Sequence, residues 1–86
     1  VWKYTLQMVD RQSVPMPKDA QVLSVQTQGD MPQLWALVDE RAPLQKRVFV
    51  IYETGNAIPD AADLSRFVGT CQAFGGSSVF HVFEQT

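Results

Sequence analysis

Apolar and polar residues alternate along several short stretches of the chain, with a period of two residues. Such alternation is typical of β-strands that have one buried face and one solvated face. The clearest pair covers residues 66–74 and 78–84, and the two stretches are separated by Gly75-Gly76. We therefore predict an antiparallel hairpin with a glycine turn at this position.

The N-terminal residues predict a first strand whose large side chains face inward. Trp2, Tyr4, Leu6 and Met8 share one parity, and polar residues occupy the positions between them. Residues 10–18 follow, and their two prolines cannot donate backbone hydrogen bonds to a ladder. We interpret this second segment as an extended crossing or an edge segment.

Three central stretches add further strands to the prediction. Residues 21–28 and 33–39 are the second and third strands, and Gly29-Asp30 between them suits the positive φ angles of a tight turn. Residues 46–53 form a fourth strand that is apolar on both faces. Such a strand is typical of the centre of a barrel or of a surface covered by another protomer.

These elements together predict an all-β fold in a single domain, residues 1–86. Five to six antiparallel strands must close into a small barrel or pack as a sandwich, because an open sheet would expose its edges. At most one short helix is expected, near residues 59–64, where a proline suits the first helical position. Gly69 lies in mid-strand and predicts a bulge or a bend.

Composition and charge limit the classes of partner. The 86 residues are 45% apolar and 19% charged, and the formal net charge is −2. A domain that grips the phosphate backbone carries the opposite balance, so we expect no bulk nucleic-acid binding. Lys46-Arg47 is the only adjacent cationic pair, and it is compatible with a local basic pocket that holds one small anionic ligand.

Cysteine content and hydropathy bear on the compartment. Cys71 is the single cysteine, so no intrachain disulfide can form, and a small domain without disulfides favours a reducing, cytoplasmic setting. We interpret Cys71 as a packing residue rather than a nucleophile. No apolar run approaches the ~18 residues of a membrane-spanning helix, and we expect no membrane association.

Catalytic and metal-binding patterns are weak in this chain. His81 is the single histidine, and we favour a half-buried structural imidazole over a general base. One histidine and one cysteine fall short of a zinc set. We therefore expect no enzymatic activity, no catalytic residue, no metal and no cofactor. A hydrolase that uses His81 with a nearby carboxylate is the weaker alternative.

The aromatic residues suggest an interface. Trp35 is opposite in parity to Leu34 and Ala36, so it either faces outward with Leu37 or belongs to the core, and the sequence leaves both arrangements open. The apolar character of both faces of the third and fourth strands favours a homo-oligomer. Basic and aromatic side chains suit a ligand that stacks and pairs charge. The candidate contact residues are Trp35, Lys46, Arg47, Tyr52 and His81.

A family resemblance runs through nearly the whole chain. It is carried by WKY at residues 2–4, MPKDAQVLSVQ at 16–26, LWALVD at 34–39, FVIYETG at 49–55, VGT at 68–70 and VFHVFE at 79–84. These runs resemble a family of small proteins of bacteria, phages and prophages that is known as a domain of unknown function. The resemblance implies a small accessory protein that acts in the bacterial cytoplasm, and it assigns no catalytic residue.

The residues and the resemblance together favour a small non-enzymatic binding protein. We expect a phage or prophage accessory protein that contacts a host protein or sequesters a small ligand. The alternative is a structural or assembly protein that forms an oligomer through its apolar strands.

Overall fold

The computed structural model describes residues 1–85, and this part of the chain contains seven strands in two antiparallel sheets. The strands are β1 (Trp2–Thr5), β2 (Arg11–Pro17), β3 (Gln21–Gln28), β4 (Met31–Leu37), β5 (Leu44–Glu53), β6 (Phe67–Ala73) and β7 (Ser78–Gln85). One sheet has the order β1-β4-β3 and the other the order β2-β5-β7-β6. The predicted all-β fold is confirmed, and it is a sandwich rather than a closed barrel.

The two predicted glycine turns are present. Gly29 and Asp30 have φ angles of 56° and 63°, and they connect β3 to β4. Phe74–Gly76 connects β6 to β7 through three residues with positive φ. Left-handed backbone in a short loop matches the twist of the flanking strands, which is why glycine is placed there.

The segment with two prolines is a regular edge strand. Strand β2 pairs only with β5, so one side of its backbone has no ladder partner. Pro15 and Pro17 have the same parity, and an edge strand tolerates missing N–H groups on its free side. This strand brings the number of strands above the predicted five to six.

The first strand is shorter than its alternation predicts. It ends at Thr5, and although Leu6 is fully buried, Trp2 and Met8 are 41% and 40% exposed. Beyond the strand, the side-chain amide of Gln12 replaces the ladder, because it both accepts from and donates to the Gln7 backbone at 2.9 and 2.8 Å. Trp2 is the cross-strand partner of the buried Ala36, so it lies on the inner face of the sheet although it remains partly exposed. The strand does not reach Met8, so the prediction that Met8 faces inward as part of the strand is wrong.

Residues 59–64 contain a single turn and no helix. The Ala62 amide donates to the Pro59 carbonyl at 3.0 Å, which closes one turn. The Asp63 carboxylate then accepts from the backbone amide and the hydroxyl of Ser65 at 3.0 and 2.6 Å. This local bond competes with helical backbone bonding, so the turn does not continue.

The core lies between the two sheets. Phe49 and Phe80 from the four-stranded sheet and Leu34 from the three-stranded sheet are fully buried there. Ala36 is also buried, whereas Leu37 is 51% exposed, so β4 directs Trp35 and Leu37 to the outer face. Of the two arrangements that the sequence left open for Trp35, the structure has the outward one.

Strands β3 and β6 lie side by side where the two sheets meet. The β6–β7 register shifts between Phe67 and Gly69, which confirms the predicted bulge. A Cβ atom at Gly69 would lie 2.8 Å from Cγ1 of Val25, so the missing side chain permits the close approach of β3. Nearby Cys71 is buried, and burial raises the pKa of its thiol, which disfavours the reactive thiolate.

Candidate binding site

The structure divides the predicted contact residues among three surfaces. Tyr52 and His81 are cross-strand partners on the outer face of the four-stranded sheet. Trp35 lies on the outer face of the opposite sheet. Lys46 and Arg47 begin the fourth predicted strand, and both line one cleft at the end of the four-stranded sheet. The five residues therefore form two pairs and one isolated aromatic rather than a single site.

His81 is half-buried between two threonine hydroxyls. Its Nε2 lies 2.8 Å from Oγ1 of Thr54, and its Nδ1 lies 2.8 Å from Oγ1 of Thr70. Each hydroxyl can donate or accept, so the tautomer of the ring decides the direction of the two hydrogen bonds. The hydrolase alternative required a carboxylate beside this ring. Within residues 1–85 its hydrogen-bonding partners are the two threonines.

An aromatic row crosses the same outer face beside His81. The ring centroids of Tyr52 and Phe83 are 6.0 Å apart, and those of Phe83 and Phe67 are 5.3 Å apart. Both pairs are tilted, an arrangement that aromatic quadrupoles favour. The row fixes the Tyr52 ring from one side and leaves its other side facing the loop that follows β5.

That loop forms a groove, which we call the loop groove, over the outer face of the four-stranded sheet. Val50 and Tyr52 contribute the strand side, residues 57–62 contribute Ala57, Pro59, Ala61 and Ala62 on the loop side, and residues 8–11 close one end. The cavity has a volume of about 670 Å³. It is partly open to solvent, and its lining is mainly apolar.

Charged groups stand at the rim of the loop groove. Arg11 donates to the side-chain oxygen of Gln85 at 2.7 Å, and Glu53 accepts from the hydroxyl of Ser78 at 2.9 Å. Asp10 is exposed, and its backbone carbonyl accepts from Ile51 at 3.0 Å, which ties this end of the groove to β5. These polar groups are therefore held by hydrogen bonds to neighbouring strands, and most of the groove lining is apolar.

The second site is a polar cleft of about 400 Å³, which we call the cationic cleft. Arg47 lines it and makes a bidentate ion pair with Glu84, with Nη2 to Oε1 at 3.0 Å and Nε to Oε2. The two side chains are only 17% and 9% exposed. Glu84 raises the pKa of Arg47, which burial by itself lowers, so the guanidinium stays charged.

Sequence reasoning missed Glu84 and Arg66 as members of this cleft. Glu84 has the parity of the buried residues Phe80 and Val82, so a charge in a core position was the available signal. Arg66 precedes β6, and its carbonyl accepts from the Glu84 amide at 2.9 Å, which brings it to the cleft. That contact depends on how the strands pair, so no local sequence pattern predicts it.

Within residues 1–85, no group of three or more histidine, cysteine or acidic residues is arranged to hold a metal ion. The same residues include no helix of the length and apolarity needed to cross a membrane.

Two facing antiparallel sheets, with one groove on an outer face and one polar cleft at a sheet end, define a small β-sandwich with two candidate ligand sites. The chain belongs to the family described as Domain of unknown function (DUF7352), which matches residues 1–86. The resemblance to a domain of unknown function is thereby confirmed. No curated protein and no solved structure matches the chain.

Proposed function

We propose that the protein is a small binding protein without enzymatic activity, and that it sequesters a small, largely apolar ligand in the loop groove. The observation that carries this proposal is the groove itself. Its volume of about 670 Å³ lies within the range of roughly 300–1,000 Å³ that is typical of small-molecule sites. Apolar walls with polar groups at the rim are also typical of such sites.

The chemistry of the lining supports binding rather than catalysis. Tyr52 offers a ring that the aromatic row holds in place, and Ala57 and Pro59 offer small apolar surfaces opposite it. A rigid aromatic contact loses little conformational entropy when a ligand binds. The proposal extends to a phage or prophage accessory protein that acts in the bacterial cytoplasm, with a host protein as the alternative partner.

Filling the loop groove is expected to abolish ligand binding. In the Ala61→Trp variant the indole occupies the cavity, so the affinity for a bound fragment falls at least about tenfold. The measurement is a titration of the ¹⁵N-labelled protein with small aromatic and aliphatic fragments, including indole, followed by NMR. Bound fragments are expected to shift the resonances of Val50, Tyr52 and residues 57–62.

Ala42→Trp provides the matched control, because Ala42 lies in the β4–β5 loop outside the groove. Its fragment affinities are expected to equal those of the unmodified protein. Equal binding by the Ala61→Trp variant, or shifts confined to other surfaces, would contradict the proposal. A fold check by circular dichroism on both variants separates lost binding from lost structure.

A structural role in a homo-oligomer is the second candidate, favoured by the outward Trp35 and Leu37. Leu37 is 51% exposed and Leu23 on the neighbouring strand is similarly exposed, which gives the three-stranded sheet an apolar outer corner. If two copies pack through this corner, light scattering after size exclusion will report twice the 9.6 kDa chain mass. Leu37→Asp will then yield monomers, and Leu44→Asp, at another exposed leucine, will not. A 9.6 kDa species in the unmodified protein would rule out this candidate.

A further inference from the structure

The cationic cleft combines a partly buried arginine, Arg47, which is fixed by hydrogen bonds, with two further cations. Lys46 and Arg66 line it beside Arg47, and among residues 1–85 neither Lys46 nor Arg66 has a carboxylate partner. The cleft also contains two acidic residues, Asp19 and Glu84. The formal charge of its lining is therefore positive, although the chain as a whole carries −2. We propose that the cleft is a binding site for a single oxyanion group of a small molecule, a phosphoryl or carboxylate group.

Arg47 is the residue that makes this a preformed site. Its Nε and Nη2 donate to Glu84, and its Nη1 donates to the Ala20 carbonyl at 2.8 Å. A guanidinium has five N–H groups, so two remain without an acceptor within residues 1–85. These two belong to a planar group that three bonds already hold in place. Little side-chain entropy is lost when such a guanidinium binds an oxyanion.

The flanking residues add donors of the appropriate kind. The Gln85 side-chain oxygen already accepts from Arg11, so its amide nitrogen is the group left to donate. Gln45 also lines the cleft. Amide and ammonium donors around a guanidinium form charge-assisted hydrogen bonds to phosphate or carboxylate oxygens.

The size and charge of the cleft favour one anionic group over a polyanion. A volume of about 400 Å³ accommodates a phosphoryl or carboxylate group with a small organic remainder. Asp19 stands at the same cleft, and the net acidity of the chain repels an extended phosphate backbone. The inference is independent of the loop groove, since the cations that carry it, Lys46, Arg47 and Arg66, do not line that groove; of the residues named for the cleft, Gln85 lines both.

Titration with inorganic phosphate and with acetate, each against a chloride reference at low ionic strength, tests the site. NMR shifts are expected at Arg47, Arg66 and residues 45–46. Lys46→Gln and Arg66→Gln are each expected to weaken binding about fivefold. Asp19→Asn is expected to strengthen binding by a similar factor, because it removes an acidic residue from the cleft. Tighter binding of phosphate assigns a phosphoryl ligand, and tighter binding of acetate assigns a carboxylate.

Lys3→Gln is the matched control for overall charge. Lys3 lies on the three-stranded sheet, where it donates to Gln28, and its substitution is expected to leave the affinity within about twofold. Equal weakening by Lys3→Gln and Lys46→Gln would overturn the proposal, because it would show only long-range attraction. An absence of shifts at the cleft with both anions would overturn it as well. Unchanged anion binding by the Ala61→Trp variant is expected, and it separates this test from that of the loop groove.

Discussion

Truncation of Phe80 to alanine is expected to lower the free energy of unfolding by about 3–5 kcal/mol. Phe80 lies in the core between the two sheets, and its side chain has no solvent-accessible area. The substitution removes the transfer free energy of the ring and leaves a cavity lined by rigid strands. Since small domains have only about 5–15 kcal/mol of stability, much of the margin disappears.

Urea unfolding followed by tryptophan fluorescence measures this effect. Phe74→Ala is the matched control, because Phe74 lies in the β6–β7 turn and is 64% exposed. The control is expected to change the free energy of unfolding by less than about 0.5 kcal/mol. Similar losses for the two variants would show that Phe80 does not lie in a packed core.

Strand positions could be predicted because the alternation of apolar and polar residues is a local feature of the sequence. The second predicted strand, residues 21–28, has the bounds of β3, and both glycine turns lie where alternation is interrupted. Strand ends were less accessible. Met8 continues the parity of the first strand, but the strand has already ended at Thr5. At Gln7 the backbone bonds to the side-chain amide of Gln12 rather than to a neighbouring strand. This bond joins the residues after β1 to strand β2, so the alternation of residues within the first strand cannot predict it.

The candidate sites could be predicted only in part, for the same physical reason. Lys46 and Arg47 were recognised as a local basic pair, and the structure adds Arg66 to them through the pairing of β7 with the chain before β6. The loop groove depends on how residues 57–62 lie over Tyr52, and that segment has neither alternation nor helical period. Local bonds such as that from Ala62 to Pro59 close one turn there, but no pattern in the sequence predicts that the segment lies beside Tyr52.

Because Arg47 and Glu84 form an ion pair that is largely shielded from solvent, removal of either partner alone is expected to lower the free energy of unfolding. In the Arg47→Met variant, Glu84 is left as a buried charge without its partner, and the expected cost is about 3–5 kcal/mol. The carbonyl of Ala20 loses a donor in the same variant. Replacing both residues, as in Arg47→Met with Glu84→Leu, removes the charge together with its need for a partner. Most of the lost stability is therefore expected to return.

A double-mutant cycle in urea, built from the two single variants and the double variant, measures this coupling. The exposed pair Arg41 and Asp39 provides the reference, and Arg41→Met is expected to cost less than about 1 kcal/mol because solvent screens that contact. Additive losses in the Arg47 and Glu84 cycle would contradict the buried pair. The double variant also separates the roles of Arg47, since it is expected to fold and yet to lose the oxyanion site. Stability would then depend on the pairing of the two charges, and anion binding on the guanidinium itself.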